Sequence, residues 1–289
     1  MLLFDLDGTL LPMDQNEFVK YYMPLLAKRF VKYGMEPKAL IGTIWKGVEA
    51  MVLNDGSTTN EDAFWKCFEK ISGLSRAEVE QETLDFYANE FNEAIASTKP
   101  NPRADQVVKL LKEHGVKVYL ATNPIFPRVG TMNRIRWAGI DAEDFEVITT
   151  YETYHYCKPN PKYFQEVMEE FGLNPKECLM VGNDVQEDLT IRSLGVKTYL
   201  LTDTLENKKN IPLEEVETEY KGTMEELYEW FQFIFCSQLV FILNIVSSHF
   251  VSILLIVRKN KTIFFFITFS SGLQPPKHAV LFYCLKLIS

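Results

Sequence analysis

Apolar residues along this chain follow two different periods. From Asp14 to about Ser97 they recur at helical spacing, with no convincing strand among them. Helix starts are marked by Asp14 with Glu17, by Asn60 at the head of Glu61-Asp62-Ala63-Phe64-Trp65, and by the capping box Ser75-Arg76-Ala77-Glu78. After Lys99-Pro100-Asn101-Pro102 the pattern changes to short apolar runs alternating with amphipathic segments. Strands are predicted at Val116–Ala121, Phe145–Thr149, Cys178–Val181 and Lys197–Leu201, and helices at Arg103–His114, Pro127–Trp137, Pro161–Phe171 and Gln186–Leu194. Asn160-Pro161 and Asn174-Pro175 each read as a cap followed by a first-turn proline. Leu2-Leu3-Phe4-Asp5-Leu6 is a further short buried strand, ended by the turn Asp7-Gly8-Thr9.

Alternation of strand and helix implies an α/β protein with a parallel sheet covered by helices on both faces. Ligands of such sheets bind beyond the carboxyl ends of the strands. The stretch 14–97 interrupts the alternation directly after the first strand and reads as a helical insert. Its aromatics, among them Tyr21, Tyr22, Trp45, Phe64, Trp65, Phe68 and Phe86, are expected mostly to form its own core.

A different pattern begins at Phe233. Residues 231–257 lack any Lys, Arg, Asp or Glu, a run long enough to cross a bilayer, although Gln238, Asn244 and His249 dilute it. A membrane-associated protein anchored through this run is one reading. Arg258, Lys259 and Lys261 beyond it and Glu225, Glu226 and Glu229 before it would place the preceding domain outside the cell. A second pass over Thr262–Leu273 is too short to span comfortably. The other reading of residues 233–289 is an aberrant extension, such as translation past a frameshift, that is no part of the folded domain.

Charge sharpens the same boundary. Residues 1–232 hold all 39 acidic residues but 25 of the 30 basic ones, a formal charge of −14. Such a balance argues against a nucleic-acid partner, which requires a basic face to neutralise phosphates. The five cysteines, Cys67, Cys157, Cys178, Cys236 and Cys284, show no paired spacing and suggest neither disulfides nor a zinc site. The apolar run Met1–Phe4 meets Asp5 without room for a signal peptide, so the expected location is cytoplasmic.

Candidate chemistry gathers at the predicted strand ends. Asp5 and Asp7 stand two apart, so strand geometry can point both carboxylates toward one mouth. One could attack as a nucleophile while the other moves protons, as covalent phosphoryl transfer requires. Thr122-Asn123 follows a strand and could hold phosphate oxygens through a hydroxyl and adjacent amides. Lys158 precedes Pro159 and a helix start, where its ammonium could neutralise a phosphoryl group. Asp184 and Asp188 follow Leu179-Met180-Val181-Gly182 and suit a hard cation such as Mg²⁺. Taken singly each has a plainer explanation: an Asp-Gly turn, a cap, a solvated lysine, acids favoured at a helix N-terminus.

In order, Asp5-Leu6-Asp7-Gly8-Thr9-Leu10, Ala121-Thr122-Asn123, Lys158-Pro159 and Val181-Gly182-Asn183-Asp184-Val185-Gln186-Glu187-Asp188 resemble the four motifs of the haloacid dehalogenase-like hydrolases. The resemblance implies a Rossmann-like core of residues 1–13 and 98–232, a helical cap over 14–97 and the atypical hydrophobic tail 233–289. It implies a Mg²⁺-dependent phosphatase acting on a small phosphorylated metabolite. Asp5 would form an aspartyl-phosphate, Asp7 would serve as acid and base, and Lys158 with Thr122 and Asn123 would hold the phosphate. The metal would rest on the Asp5 carboxylate, the Asp7 carbonyl and Asp184, with Asp188 in support. A phosphomutase or dehalogenase of the same superfamily, or a binding protein on the same fold, would share parts of this set. One departure is Asn183, where many relatives carry an acid.

Overall fold

The computed structural model describes residues 1–246, 251–259, 262–269 and 281–285. They divide into two compact units, Met1–Tyr228 and Glu229–Ser289.

The first unit is built on a sheet of β1 (Leu2–Phe4), β2 (Val118–Leu120), β3 (Val147–Ile148), β4 (Leu179–Gly182), β5 (Lys197–Leu201) and β6 (Tyr220–Gly222). Their order is β3-β2-β1-β4-β5-β6 and every pairing is parallel. Strands β1 and β2 are buried throughout, which explains why they read as unbroken apolar runs. Leu3 lies in register with Tyr119 on one side and Met180 on the other. Those side chains pack with Tyr163, Phe164 and Val167 of the helix Pro161–Glu170 to form one core cluster. Chain order runs outward from β1 through β2 to β3 and resumes at β4 on the opposite side of β1. The reversal between β1 and β4 opens the crevice where such sheets place their ligands.

The helices of this sheet are α5 (Pro102–Glu113), α6 (Arg128–Trp137) and α7 (Pro161–Glu170). Asn160 caps α7 by accepting the Lys162 amide, as its sequence suggests, whereas Asn174-Pro175 opens only a 3-10 turn, Pro175–Glu177. The helix expected over 186–194 is a 3-10 segment, Asp188–Leu194. The Asp184 carboxylate accepts the amides of Gln186 and Glu187, the bonds of a helix cap, at the turn that leads into this segment.

Between β1 and β2 the chain forms α1 (Gln15–Phe30), α2 (Pro37–Val52), α3 (Asn60–Ser72), α4 (Arg76–Ala88) and a 3-10 stretch, Glu90–Ser97. It leaves and returns side by side: Met13 and Thr98 form an isolated antiparallel bridge, and Lys99 donates to the Pro12 carbonyl at 2.8 Å. Asp14 caps α1 and the Ser75–Glu78 box opens α4. Asn60 is not the cap of α3. Thr59 takes that role by accepting the Asp62 amide, while Asn60 is fully buried against the sheet-bearing part of the unit. Its backbone donates to Tyr154 at 2.8 Å, and its side-chain amide donates to the carbonyls of Pro124 and Tyr156. Tyr22, Trp65, Phe68 and Phe86 are core residues as expected, but Tyr21 and Trp45 are exposed.

The helix α8 (Met224–Val246) carries the chain through the boundary between the units. In the second unit β7 (Val251–Lys259), β8 (Thr262–Phe269) and β9 (Leu281–Leu285) form an antiparallel sheet in that order. Their β-branched and aromatic residues favour strands over a helix. The proposed span 231–257 is thus divided between α8 and β7, with 247–250 outside the described residues. Among the described residues no helix is long and apolar enough to cross a membrane, so a helical anchor there finds no support.

Candidate active site

Asp5 stands one residue beyond β1, where its amide donates to the Val181 carbonyl at 3.0 Å and fixes it against β4. Gly8 makes the turn that follows, with φ +85°, and a β-carbon there would lie 2.3 Å from the Asn183 amide. Asn183 fills that space for a reason: it accepts the Thr9 hydroxyl at 3.0 Å and donates to the Thr204 carbonyl at 2.7 Å. The residue that departs from the motif therefore ties the Asp5–Thr9 loop to the segment after β5.

Lys158 is buried at the centre of the cluster. Its ammonium lies 2.8 Å from Asp5 Oδ1 and 2.6 Å from Asp188 Oδ1. Burial alone would pull its pKa down, but Asp188 and Asp5 outweigh that and hold it above the ordinary lysine value, so it is a cation. Asp188 spends its other oxygen on the amides of Asn183 and Asp184, at 2.9 and 3.0 Å. Gly182 is required beside it, because a β-carbon would meet the Asp188 carboxylate at 2.2 Å. Burial pushes the Asp188 carboxyl up to about 6, with Lys158 opposing. Asp5 is likewise raised by burial, again with Lys158 opposing.

Asn123, expected as a substrate contact, belongs to the same cluster. Its side chain accepts the Lys158 amide at 3.2 Å and donates to the Lys158 carbonyl and to Glu187. The contacts clamp the lysine backbone. Thr122 is buried, and its carbonyl accepts hydroxyls from Thr149 at 2.6 Å and Tyr163 at 2.8 Å.

Asp7 meets a residue that the sequence reading missed. Arg134, wholly buried on α6, forms an ion pair with Asp7 Oδ2. Its guanidinium also donates to the Thr131 hydroxyl and stacks 4.1 Å above the Phe126 ring. The second oxygen, Asp7 Oδ1, is buried and has no hydrogen-bond partner among the described residues. Buried polar atoms are nearly always paired, so such an orphan marks a place where a ligand atom would complete the set.

Asp184 Oδ2 receives Lys208 at 3.2 Å, and the same ammonium lies 3.2 Å from Glu187. A lysine here, likewise missed from the sequence, is a cation standing on carboxylates that would suit a metal. Among the described residues no three His, Cys, Asp or Glu side chains converge as a metal site. The set implied by the resemblance needs only two carboxylates with a backbone carbonyl, all hard oxygen donors of the kind Mg²⁺ takes.

Beside these residues lies an apolar cavity of about 180 Å³, walled by side chains including Phe18, Tyr22, Ile44, Val48, Phe126 and Tyr151.

The parallel sheet and its switch-point crevice bring residues of all four motifs together around a buried lysine, the arrangement of a hydrolase. The chain belongs to the haloacid dehalogenase-like hydrolases, whose family model matches residues 1–195, and the resemblance drawn from the four motifs is borne out. YhcW of Bacillus subtilis (strain 168) is 24% identical over 201 residues, covering 69% of this chain and 82% of its own. The bifunctional riboflavin kinase/FMN phosphatase of Arabidopsis thaliana is 26% identical over 68% of this chain, which spans 46% of that enzyme. The magnesium-bound hydrolase YfnB from Bacillus subtilis shares the fold with a TM-score of 0.51 and 19% identity, covering 80% of this chain and 97% of its own.

Proposed function

We propose that the protein is a Mg²⁺-dependent phosphatase that cleaves a small phosphorylated metabolite through an aspartyl-phosphate on Asp5. The observation that carries this reading is Lys158 held between Asp5 and Asp188, beside an Asp7 whose Oδ1 is unpartnered. The phosphatase named among its relatives agrees with it.

In the proposed reaction a carboxylate oxygen of Asp5 forms a bond to phosphorus as the bond to the leaving oxygen breaks. Asp7 Oδ1 delivers the proton that the leaving alkoxide needs. Water then attacks the same phosphorus; Asp7 takes its proton, inorganic phosphate departs and the Asp5 carboxylate is restored. Lys158 screens the charge of Asp5 against the incoming phosphate, with the Thr122 region as the second phosphate contact. Asn123 acts through Lys158, by fixing its backbone. A bound Mg²⁺ would lower the repulsion between carboxylate and phosphate. Asp5, the Asp7 carbonyl and Asp184 would hold it, and Lys208 would give way. Asp188 is locked to the buried Lys158, whereas the lysine on Asp184 is the exposed Lys208, which favours Asp184 as the direct ligand.

On this reading residues 14–97 are a cap hinged at the Met13–Thr98 crossing, on a core of 1–13 and 98–232. The free thiols of Cys67, Cys157, Cys178 and Cys236 suit a cytoplasmic enzyme.

The test is phosphate release by the full chain from a panel of phosphoesters, with Mg²⁺ and with chelator, beside Asp5→Asn. Magnesium-dependent turnover that disappears in the variant is expected. Turnover that survives Asp5→Asn would remove the nucleophile from the scheme.

A further inference from the structure

The cavity beside the site lies between two kinds of wall. One is helical: Phe18 and Tyr22 from α1, Ile44 and Val48 from α2. The other is the segment Ile125–Pro127 with Tyr151, a direct continuation of the loop whose Asn123 clamps Lys158. Phe126 joins cavity and chemistry, since its ring lines the cavity and also lies under the guanidinium that pairs with Asp7. The lining contains no Asp, Glu, Lys, Arg or His. Two of its three buried tyrosine hydroxyls, Tyr22 and Tyr87, are 2.7 Å apart and satisfy each other, which leaves Tyr151 and the unpartnered Trp65 Nε1 as the polar atoms on the buried wall. A sugar hydroxyl or a second charged group entering this space would lose water and find few partners. An apolar cavity of about 150 Å³ is enough to hold benzene, and this one measures about 180 Å³.

We infer that the cavity takes an aromatic or compact aliphatic group of the substrate, so that the preferred phosphoesters carry an apolar leaving group. The inference rests on the phosphatase reading for the phosphoryl end of the substrate and on the cavity alone for the other end. Polar metabolite esters would bind with this space unfilled, and the cavity residues would select against them. Discrimination comes from burial in the cavity and leaves the carboxylate chemistry unchanged.

Two measurements on the full chain test it. Benzyl phosphate and glycerol 3-phosphate release alkoxides of similar basicity, so their rates compare the bound group and not the bond broken. Benzyl phosphate is expected to show kcat/KM higher by about tenfold or more, the discrimination a well-filled apolar pocket supplies. Separately, benzyl alcohol should raise the melting temperature of the wild type and leave that of the cavity-filling variant Val48→Phe unchanged. Ile44→Phe serves as a second filling variant, and each variant's own melt reports whether it is folded. Equal or better turnover of glycerol 3-phosphate, or a benzyl alcohol shift that is absent or survives both fillings, would overturn the inference. A shift that behaves as expected with no ester hydrolysed would keep the aromatic site and remove the phosphatase reading instead.

Discussion

Arg134 pairs with Asp7 from the far side of the active-site loop, and the two are brought together by burial of the whole arginine side chain on α6. One carboxylate oxygen is thereby fixed and the other is left buried with no partner. If Asp7 protonates the leaving group, its aim is set by Arg134. Arg134→Gln should therefore lower kcat by about a hundredfold on alkyl phosphates, the usual cost of a misplaced catalytic group. An aryl ester such as p-nitrophenyl phosphate needs little protonation and should lose much less. Equal losses on both ester classes would mean that Arg134 serves only the fold.

Lys158→Met leaves Asp5 and Asp188 as buried carboxylates without their shared cation. Removing one partner of a buried pair costs roughly 3–5 kcal/mol, so the midpoint of urea unfolding at neutral pH should fall by a corresponding amount. Lys158→Met with Asp188→Asn should recover part of that loss, because one of the stranded charges is gone. An unchanged midpoint in the single variant would show that the pair contributes nothing to stability.

Stability of the metal-free protein should depend on pH in a stated direction. Asp5, Asp7 and Asp188 are raised above the ordinary carboxylate value by burial, Asp188 to about 6. The folded state then binds protons more tightly than the unfolded chain between about pH 4 and 6. This contribution is fully present below the unfolded value and is lost as pH rises through the folded one. For Asp188 alone it is on the order of 3 kcal/mol. Urea midpoints in chelator should fall across that window, and added Mg²⁺ should restore stability above it. A midpoint that rises across the window would contradict the raised values, and indifference to Mg²⁺ would contradict the metal reading.

Asn60 supplies a prediction about the helical section. Its side chain and backbone reach Pro124, Tyr154 and Tyr156, so α3 is latched to the loops beside the site. Asn60→Ala removes the side-chain part of the latch. If the section opens and closes as a cap, KM should rise severalfold while kcat holds or rises, and amides 60–63 should exchange hydrogen faster. Unchanged KM and exchange would indicate a section that does not move.

Much of this arrangement was legible before the structure. The buried strands β1, β2, β4 and β5 are short apolar runs, and the acids and lysine of the cluster follow their carboxyl ends. What stayed hidden depends on neighbours. Strand β6 is three residues long with Tyr220 and Lys221 exposed, and only pairing with Tyr199–Leu201 makes it a strand. Asn60 sits where a cap is expected, yet its burial comes from loops far along the chain. Arg134 lies among Arg128, Asn133 and Arg136, so it reads as one more solvated charge. Its one signal is its place on the face of α6 shared with Gly130, where a β-carbon would lie 2.9 Å from Tyr87. Local pattern marks the ends of strands; it does not say which polar residue of a helix the fold will enclose.

The position of β1 also bears on how the protein is made. Leu2 pairs with Val118 and Leu179, so the strand that leads into Asp5 has both partners far downstream. Chains emerge from the ribosome amino end first, and distant pairings close late. Asp5 is among the first residues made but cannot be set against Lys158 and Asp188 until β4 and the loop after it have been synthesised. On the proposed reading, a growing or prematurely ended chain would hold Asp5 without Lys158 and Asp188 set beside it, and so would be inert toward phosphoesters while still unfinished.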